Sequence, residues 1–269
     1  MRIRFGFDIA VACAQPTHFL ACMSVRPERH KDLHGEEIVE VSGGIPVTPF
    51  LDAFGNRCLR FTAPAGETRI RGEGLMRDHG FADPVHADAG EVPIANIPSG
   101  LLQFLLPSRY CESDSLAAFA WENFGHLPPG WSRVQAICDY VHQRVRFDYY
   151  SASATRTAQG ALHEGQGVCR DFAHSAIALC RALSIPARYV NGYLGDIGVP
   201  AGGPMDFSAW FEVWLDGNWY PFDARHNIPR IGRINIAVGR DAADVAMLHS
   251  FGPHDLRTFT VICHEEPED

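Results

Sequence analysis

Over the first hundred positions of this chain, short apolar runs alternate with turn signals. The runs at 8–13, 19–25, 38–41, 59–63 and 67–74 are separated by Gly43-Gly44, Phe54-Gly55-Asn56 and Pro64-Ala65-Gly66. Runs of this length bounded by Gly, Pro and Asn predict strands, so residues 1–100 are expected to form an N-terminal β-domain of sandwich type. Pro93, Pro98 and Pro107 mark a connector, and the period then changes. Residues 116–124 predict a helix capped by Ser113 or Asp114. Val134, Ile137, Cys138, Val141 and Val145 fall at helical spacing within 133–146, with Ser132 as the expected cap. The small, polar stretch 151–166 reads as a loop, and a further helix is expected to start at Cys169 and run to 183. From 187 onward the pattern is of strands: a glycine- and proline-rich loop at 195–204, a hairpin over 207–222, and apolar runs at 234–238 and 258–262 that would complete the same sheet, with a short helix or turn at 241–248 between them. A helix layer against an antiparallel sheet makes residues 101–269 an α+β domain.

Cys169 stands where a thiol nucleophile is built. Gly165 and Gly167 break the chain just before it, and Arg170 to Leu183 is a good helix-forming run. A cysteine opening a helix meets unpaired N–H groups and the positive end of the helix dipole, which favour a thiolate. A glycine immediately upstream lets backbone and substrate approach closely. Cys180, mid-helix among Ile177, Leu179 and Leu183, reads instead as a core cysteine.

Asp216-Gly217 is a two-residue hairpin turn signal, and it sets a register in which Leu215 faces Asn218, Trp210 faces Asp223 and Ser208 faces Arg225. One face then carries Phe207, Ala209, Phe211, Val213, Leu215, Tyr220, Phe222 and Ala224, an apolar core face. The other carries Asp206, Ser208, Trp210, Glu212, Asp223 and Arg225. On that polar face Ser208 and Asp223 are diagonal neighbours at about 7–8 Å. Asp223 can alternatively pair with Arg225 or cap the next turn, and Arg225 can hold a thiolate or a substrate carboxylate by charge. Trp210, Trp214 and Trp219 either line an aromatic groove or pack the sheet.

Several of these segments together resemble the transglutaminase-like superfamily, in particular its bacterial members grouped with cysteine proteases. Gly167-Val168-Cys169-Arg170-Asp171-Phe172-Ala173-His174 is similar to the nucleophile motif, and Ile185-Pro186-Ala187-Arg188-Tyr189-Val190 to the strand after its helix. Asp206-Phe207-Ser208-Ala209-Trp210 and Trp219-Tyr220-Pro221-Phe222-Asp223 are similar to the two strands that supply His and Asp. Leu106-Pro107-Ser108-Arg109-Tyr110-Cys111 resembles the lead-in. The resemblance implies a transglutaminase-like (papain-like) domain following the β-domain, and a Cys-His-Asp site with Cys169 as nucleophile and Asp223 as orienting carboxylate. It also exposes a departure: where the family places His before Ala-Trp, this chain has Ser208, and a serine is no base near neutral pH. His226, three residues after Asp223, is the nearest substitute, but on a continuous strand it would point to the core face. It can serve only if the strand ends or bulges near Ala224. His163 and His174 are weaker candidates, His174 being five residues along the helix from Cys169.

Composition narrows the partners. The 269 residues are 46% hydrophobic and 20% charged, ordinary for a globular protein with a full core, and the net charge of −9 with no Lys/Arg stripe argues against nucleic acid. No apolar run is long enough for a membrane span. Met1 to Ala14 faintly mimics a signal peptide, but Asp8 interrupts it, so it reads as a first strand. Eight cysteines without paired spacing read as reduced thiols, which implies a cytoplasmic location. No zinc-type spacing among 13 histidines supports a metal, and no cofactor is expected. Two functions from different classes follow. One is a thiol-dependent acyl-transfer enzyme (peptidase, amidase or transglutaminase) acting on a peptide or protein. The other is a catalytically degenerate domain that binds a peptide or protein without chemistry.

Overall fold

A computed structural model describes residues 1–267. In chain order its strands are β1 (Arg2–Cys13), β2 (Thr17–Ala21), β3 (Ile38–Val41), β4 (Thr48–Leu51), β5 (Arg57–Ala63), β6 (Gly66–Arg77), β7 (Arg146–Phe147), β8 (Gln166–Gly167), β9 (Ala187–Tyr193), β10 (Ser208–Leu215), β11 (Asn218–Phe222), β12 (Ile234–Gly239), β13 (Leu248–Ser250) and β14 (Asp255–Glu266). The α-helices are α1 (Ala117–Phe124), α2 (Trp131–Arg144), α3 (Ala158–Glu164) and α4 (Cys169–Ala182). Helices and antiparallel sheets thus coexist as the α+β expectation requires.

Two four-stranded sheets, ordered β14-β1-β6-β3 and β13-β2-β5-β4, form the β-rich module. Their inward positions, Ile3, Phe5, Phe7, Ile9 and Val11 on β1 and Phe19 and Ala21 on β2, are buried at the strand period of two. The third sheet, β11-β10-β9-β12, carries the helices. Strand pairing crosses the expected division near residue 100 twice. β13 pairs with β2, and β14 runs along β1 from Arg2↔Glu266 to Ala12↔Asp255. The run at 258–262, expected to complete the helix-bearing sheet, therefore belongs to the N-terminal one. Its alternation fitted either sheet, and only tertiary pairing distinguishes them.

Helix α4 lies at the centre of the second half, with residues 171–181 buried along its whole length. It packs on β9 and β10 and against α1, α2 and α3. Three local expectations fail. Helix α1 starts after Leu116 with no side-chain cap, so neither Ser113 nor Asp114 caps it. Helix α2 starts at Trp131 after Gly130, whose φ of 104° breaks the chain, so Ser132 lies inside the helix and its hydroxyl donates to the Pro128 carbonyl. The segment 151–166 is not all loop: α3 occupies 158–164, capped by Thr157, which accepts the Gly160 N–H. Seven residues are too few to show a helical period.

The hairpin forms at Asp216-Gly217 with φ of 44° and 81°, the twin positive values of a type I′ turn. Its register is the expected one, Leu215↔Asn218 through Phe211↔Phe222. The ladder stops there, short of the expected pairs Trp210–Asp223 and Ser208–Arg225. The second face of β10 is not solvated either. Trp210 is 1% exposed and packs with Val190, Leu194 and Val238 in a small second core, and Glu212 pairs with Arg188 at 2.6 Å. The β-rich module covers this face: Asn56 bonds both the N–H and the carbonyl of Val238, and Arg26 N–H donates to the Asn235 carbonyl.

Candidate active site

Cys169 is the first residue of α4 and is half-buried. The turn before it is fixed by Asp171. That fully buried carboxylate accepts the Val168 N–H at 2.8 Å and the Arg156 guanidinium at 3.2 Å. Gly167 is required there: a Cβ at that position would stand 2.6 Å from the Cβ of Asp171. The close approach that this glycine permits is to the helix's own first turn.

The Cys169 thiol opens on a cavity of about 500 Å³, lined also by Tyr189, Asn191, Asp206, Ser208 and His249. The expectation that the helix start makes it a thiolate is not met. Burial pushes the thiol above the ordinary cysteine range, and Asp206 adds to this. The Arg225 charge and the N–H groups of Ala209 and Arg170 oppose the shift without overcoming it. Arg225 thus does favour the thiolate, as its charge suggested, while its guanidinium stacks on Phe147 at 3.9 Å.

Asp223 lies one residue beyond β11, and its side chain is what ends the strand. Its Oδ1 accepts the N–H groups of Arg225 and His226, and its backbone carbonyl accepts the Asn227 N–H, so the chain curls into a turn. The turn brings His226 back, and its Nδ1 lies 2.9 Å from Asp223 Oδ2. This is the strand ending on which His226 depended. Arg233 completes the group. Its Nη atoms donate to Asp223 Oδ2 at 3.2–3.3 Å, its Nε donates to Asp83 at 2.8 Å, and its guanidinium lies over the Trp210 ring. Burial of Asp223 works against ionisation. The His226 hydrogen bond and the Arg233 charge outweigh it and hold the carboxyl well below the usual range.

Ser208 opens β10 opposite Gly192 of β9 and is 6% exposed. Its hydroxyl has no hydrogen-bond partner. A second cavity, of about 410 Å³, is lined by His226, Arg225 and Tyr149 and shares Asp206, Phe207 and Ser208 with the Cys169 cavity. Segment 206–208 is thus a common wall, with Cys169 on one cavity and His226 on the other. Of the remaining histidines, His174 is fully buried between Tyr110 and Tyr189, and its Nε2 accepts the Ala242 N–H. Burial holds it neutral, as a core histidine. His163 ends α3 on the surface.

Sequence reasoning missed Arg233 and His249. Arg233 follows Asp223 by ten residues across an irregular loop, a separation that carries no periodic signal. His249 reaches the cavity only because β13 crosses to pair with β2. The tryptophans prove structural: Trp210 is core, and Trp214 and Trp219 pack edge-on at 5.4 Å.

The sequence profile described as the transglutaminase-like superfamily matches residues 122–224, a span from α1 through Asp223. A crystal structure from Cytophaga hutchinsonii, titled a "Putative Cysteine Protease", is 32% identical, superposes with a TM-score of 0.86, and is matched over 100% of this chain and 92% of that one. The chain belongs to the transglutaminase-like superfamily. An uncharacterized protein of Mycobacterium leprae is 35% identical over 113 residues, 39% of this chain and 39% of that protein. One of Mycobacterium tuberculosis is 32% identical over 129 residues, 43% of this chain and 41% of that protein. This transglutaminase-like chain therefore spans about two fifths of the curated relatives it matches. Among its described residues no helix is long and apolar enough to cross a membrane.

Proposed function

We propose that this transglutaminase-like chain is a thiol-dependent acyl-transfer enzyme acting on a peptide or protein, with Cys169 as nucleophile and His226 as base. The observation that carries the reading is the Asp223–His226 pair. The family's orienting carboxylate still holds an imidazole through Nδ1, which leaves Nε2 free to accept a proton. Ser208, buried with a free hydroxyl in the wall between the two cavities, is the group through which the proton passes. The sulfur attacks an amide or ester carbonyl, the leaving amine or alcohol takes the proton back from His226, and water or a second amine resolves the thioester. The N–H of Cys169, at the first position of α4, contributes to stabilising the oxyanion.

A second reading, a degenerate domain that binds a peptide without chemistry, draws on the raised Cys169 thiol and on serine at position 208. An activated aryl ester separates the two. The enzyme reading expects a burst of phenol, stoichiometric with protein and absent in Cys169→Ala. It expects His226→Ala to slow the burst by about 10²–10⁴-fold, the contribution of a positioned general base, with His249→Ala near wild type. No burst, together with Cys169 alkylated no faster than the buried cysteines, selects the binding domain. A burst lost in His249→Ala but kept in His226→Ala assigns the base to His249 and overturns the role of His226.

A further inference from the structure

Two cysteines far from Cys169 meet in the β-rich module. Cys22 follows β2 directly, and Cys58 is the second residue of β5. These strands are antiparallel with Ala21 opposite Leu59, so one further step places Cys22 opposite Cys58. Opposed residues in such a pair have Cα atoms about 4.5–5.5 Å apart, inside the range of about 4.4–6.8 Å that a disulfide needs. The two sulfurs lie 3.2 Å apart, and both residues are buried. Among the described residues no other cysteine has a sulfur as hydrogen-bond partner.

The Asp52 carboxylate is within 4.8 Å of both sulfurs, a set that suggests a cation. Its oxygens are already committed, however. Oδ1 accepts the N–H groups of Phe54 and Asn56 at 2.8 Å, and Oδ2 accepts the Asn56 side-chain amide at 2.7 Å. Asp52 is the hinge of a turn, and the sulfurs are left to each other. We propose that Cys22 and Cys58 are a modification site, forming a reversible disulfide when the protein meets hydrogen peroxide.

The Cys22 hydrogen bond favours ionisation of Cys58 and disfavours that of Cys22. The Cys58 thiolate attacks a peroxide oxygen, breaks the O–O bond and becomes a sulfenic acid, releasing hydroxide. The Cys22 sulfur then attacks the Cys58 sulfur and displaces the hydroxyl, which leaves as water with the Cys22 proton. In sum two thiols and one peroxide give one disulfide and two waters. The bond would tie β2 to β5 beside the Cys169 cavity, since Cys22 N–H donates at 2.8 Å to the carbonyl of Met247, a residue of that cavity's wall.

The test treats the full chain with hydrogen peroxide, blocks free thiols with N-ethylmaleimide in denaturant, and maps the peptides by mass spectrometry. The expected product is one cross-link joining the peptides of Cys22 and Cys58, lighter by two hydrogens and reversed by dithiothreitol. It should vanish in Cys22→Ser and in Cys58→Ser. Because the wild-type map decides the question, a variant that misfolds does not blur it. Cys22 and Cys58 recovered fully alkylated, oxidised singly to sulfinic acid, or linked to other cysteines would overturn the proposal. So would stoichiometric zinc uptake that is lost in both variants, which would make the pair a metal site.

Discussion

Placing an imidazole at position 208 is the sharpest perturbation of this site. Ser208 is buried, its hydroxyl is unpartnered, and cavities of about 500 and 410 Å³ open on either side of it. Ser208→His therefore has space for the ring and forfeits no existing hydrogen bond. A new imidazolium beside Cys169 acts against the burial that now raises the thiol. Two unit charges about 4 Å apart interact by about 4 kcal/mol at an effective dielectric of about 20. Since one pKa unit is about 1.36 kcal/mol, that is an upper bound of about three units. The site is partly open, so a drop of about one to two units is the working figure, which raises the thiolate fraction at pH 7 about 10–100-fold. A more acidic thiol is a weaker nucleophile, with a Brønsted slope of about 0.4–0.5, so the net gain in alkylation rate is about 3–10-fold.

The assay is the pH dependence of Cys169 alkylation by iodoacetamide, read by peptide mapping, with Cys169→Ala as blank and circular dichroism as the check on folding. Wild type should label slowly at pH 7 and speed up only above the ordinary thiol range, and Ser208→His should move that rise to lower pH. In the ester assay the same variant should no longer need His226: adding His226→Ala to Ser208→His should leave the burst that His226→Ala alone slows by about 10²–10⁴-fold. A folded variant with the wild-type pH profile would refute the reasoning, because position 208 would then not face the thiol. A wild type already fully reactive at pH 6 would equally contradict the raised Cys169 thiol.

Two further outcomes follow from the same geometry. Gly167→Ala should destabilise by about 1–3 kcal/mol through the clash with Asp171; urea unfolding within error of wild type would show that the α4 start relaxes freely. Asp223 is held below its ordinary pKa, so its stabilisation is complete above the unfolded value of about 3.9 and is lost as pH falls through the folded one. The stability difference between wild type and Asp223→Asn should hold from pH 7 to about 4 and shrink below; a difference already shrinking at pH 6 would contradict this.

How much of this was legible in the chain follows from the range of each signal. The hairpin register was readable because Asp-Gly imposes two positive φ values and fixes every pair that follows. The position of Cys169 at a helix start was readable from the glycines and the helix-forming run. The ionisation of Cys169 was not. Backbone dipoles are local and appear in the sequence, whereas burial of the sulfur depends on tertiary packing of α4 on β10. The polar face of β10 was misread for the same reason: period two shows which residues share a face, not whether another module covers it. That Asp223 caps the turn after its strand was legible as one of two alternatives, with Asn227-Ile228-Pro229 as the turn signal downstream. Arg233 and His249 lay out of reach, being joined to the site only by tertiary pairing.

The electrostatics around Asp223 do not depend on the residue at 208. Asp223 would be a costly isolated buried charge if its only partner were an imidazole at that position. Here Arg233 and His226 both bond its Oδ2, and Arg233 is itself anchored by Asp83. The carboxylate is compensated whatever residue stands at 208, so its charge balance places no demand on that position. What remains unsatisfied is the Ser208 hydroxyl, together with Asn191 Oδ1 in the same cavity, and an unmade buried hydrogen bond costs about 1–3 kcal/mol. A bound peptide offers both a donor and an acceptor at such a place, and a passing proton needs only the hydroxyl. Substitutions at 208 therefore report on ligand and chemistry, while substitutions at Asp223 and Arg233 report first on stability.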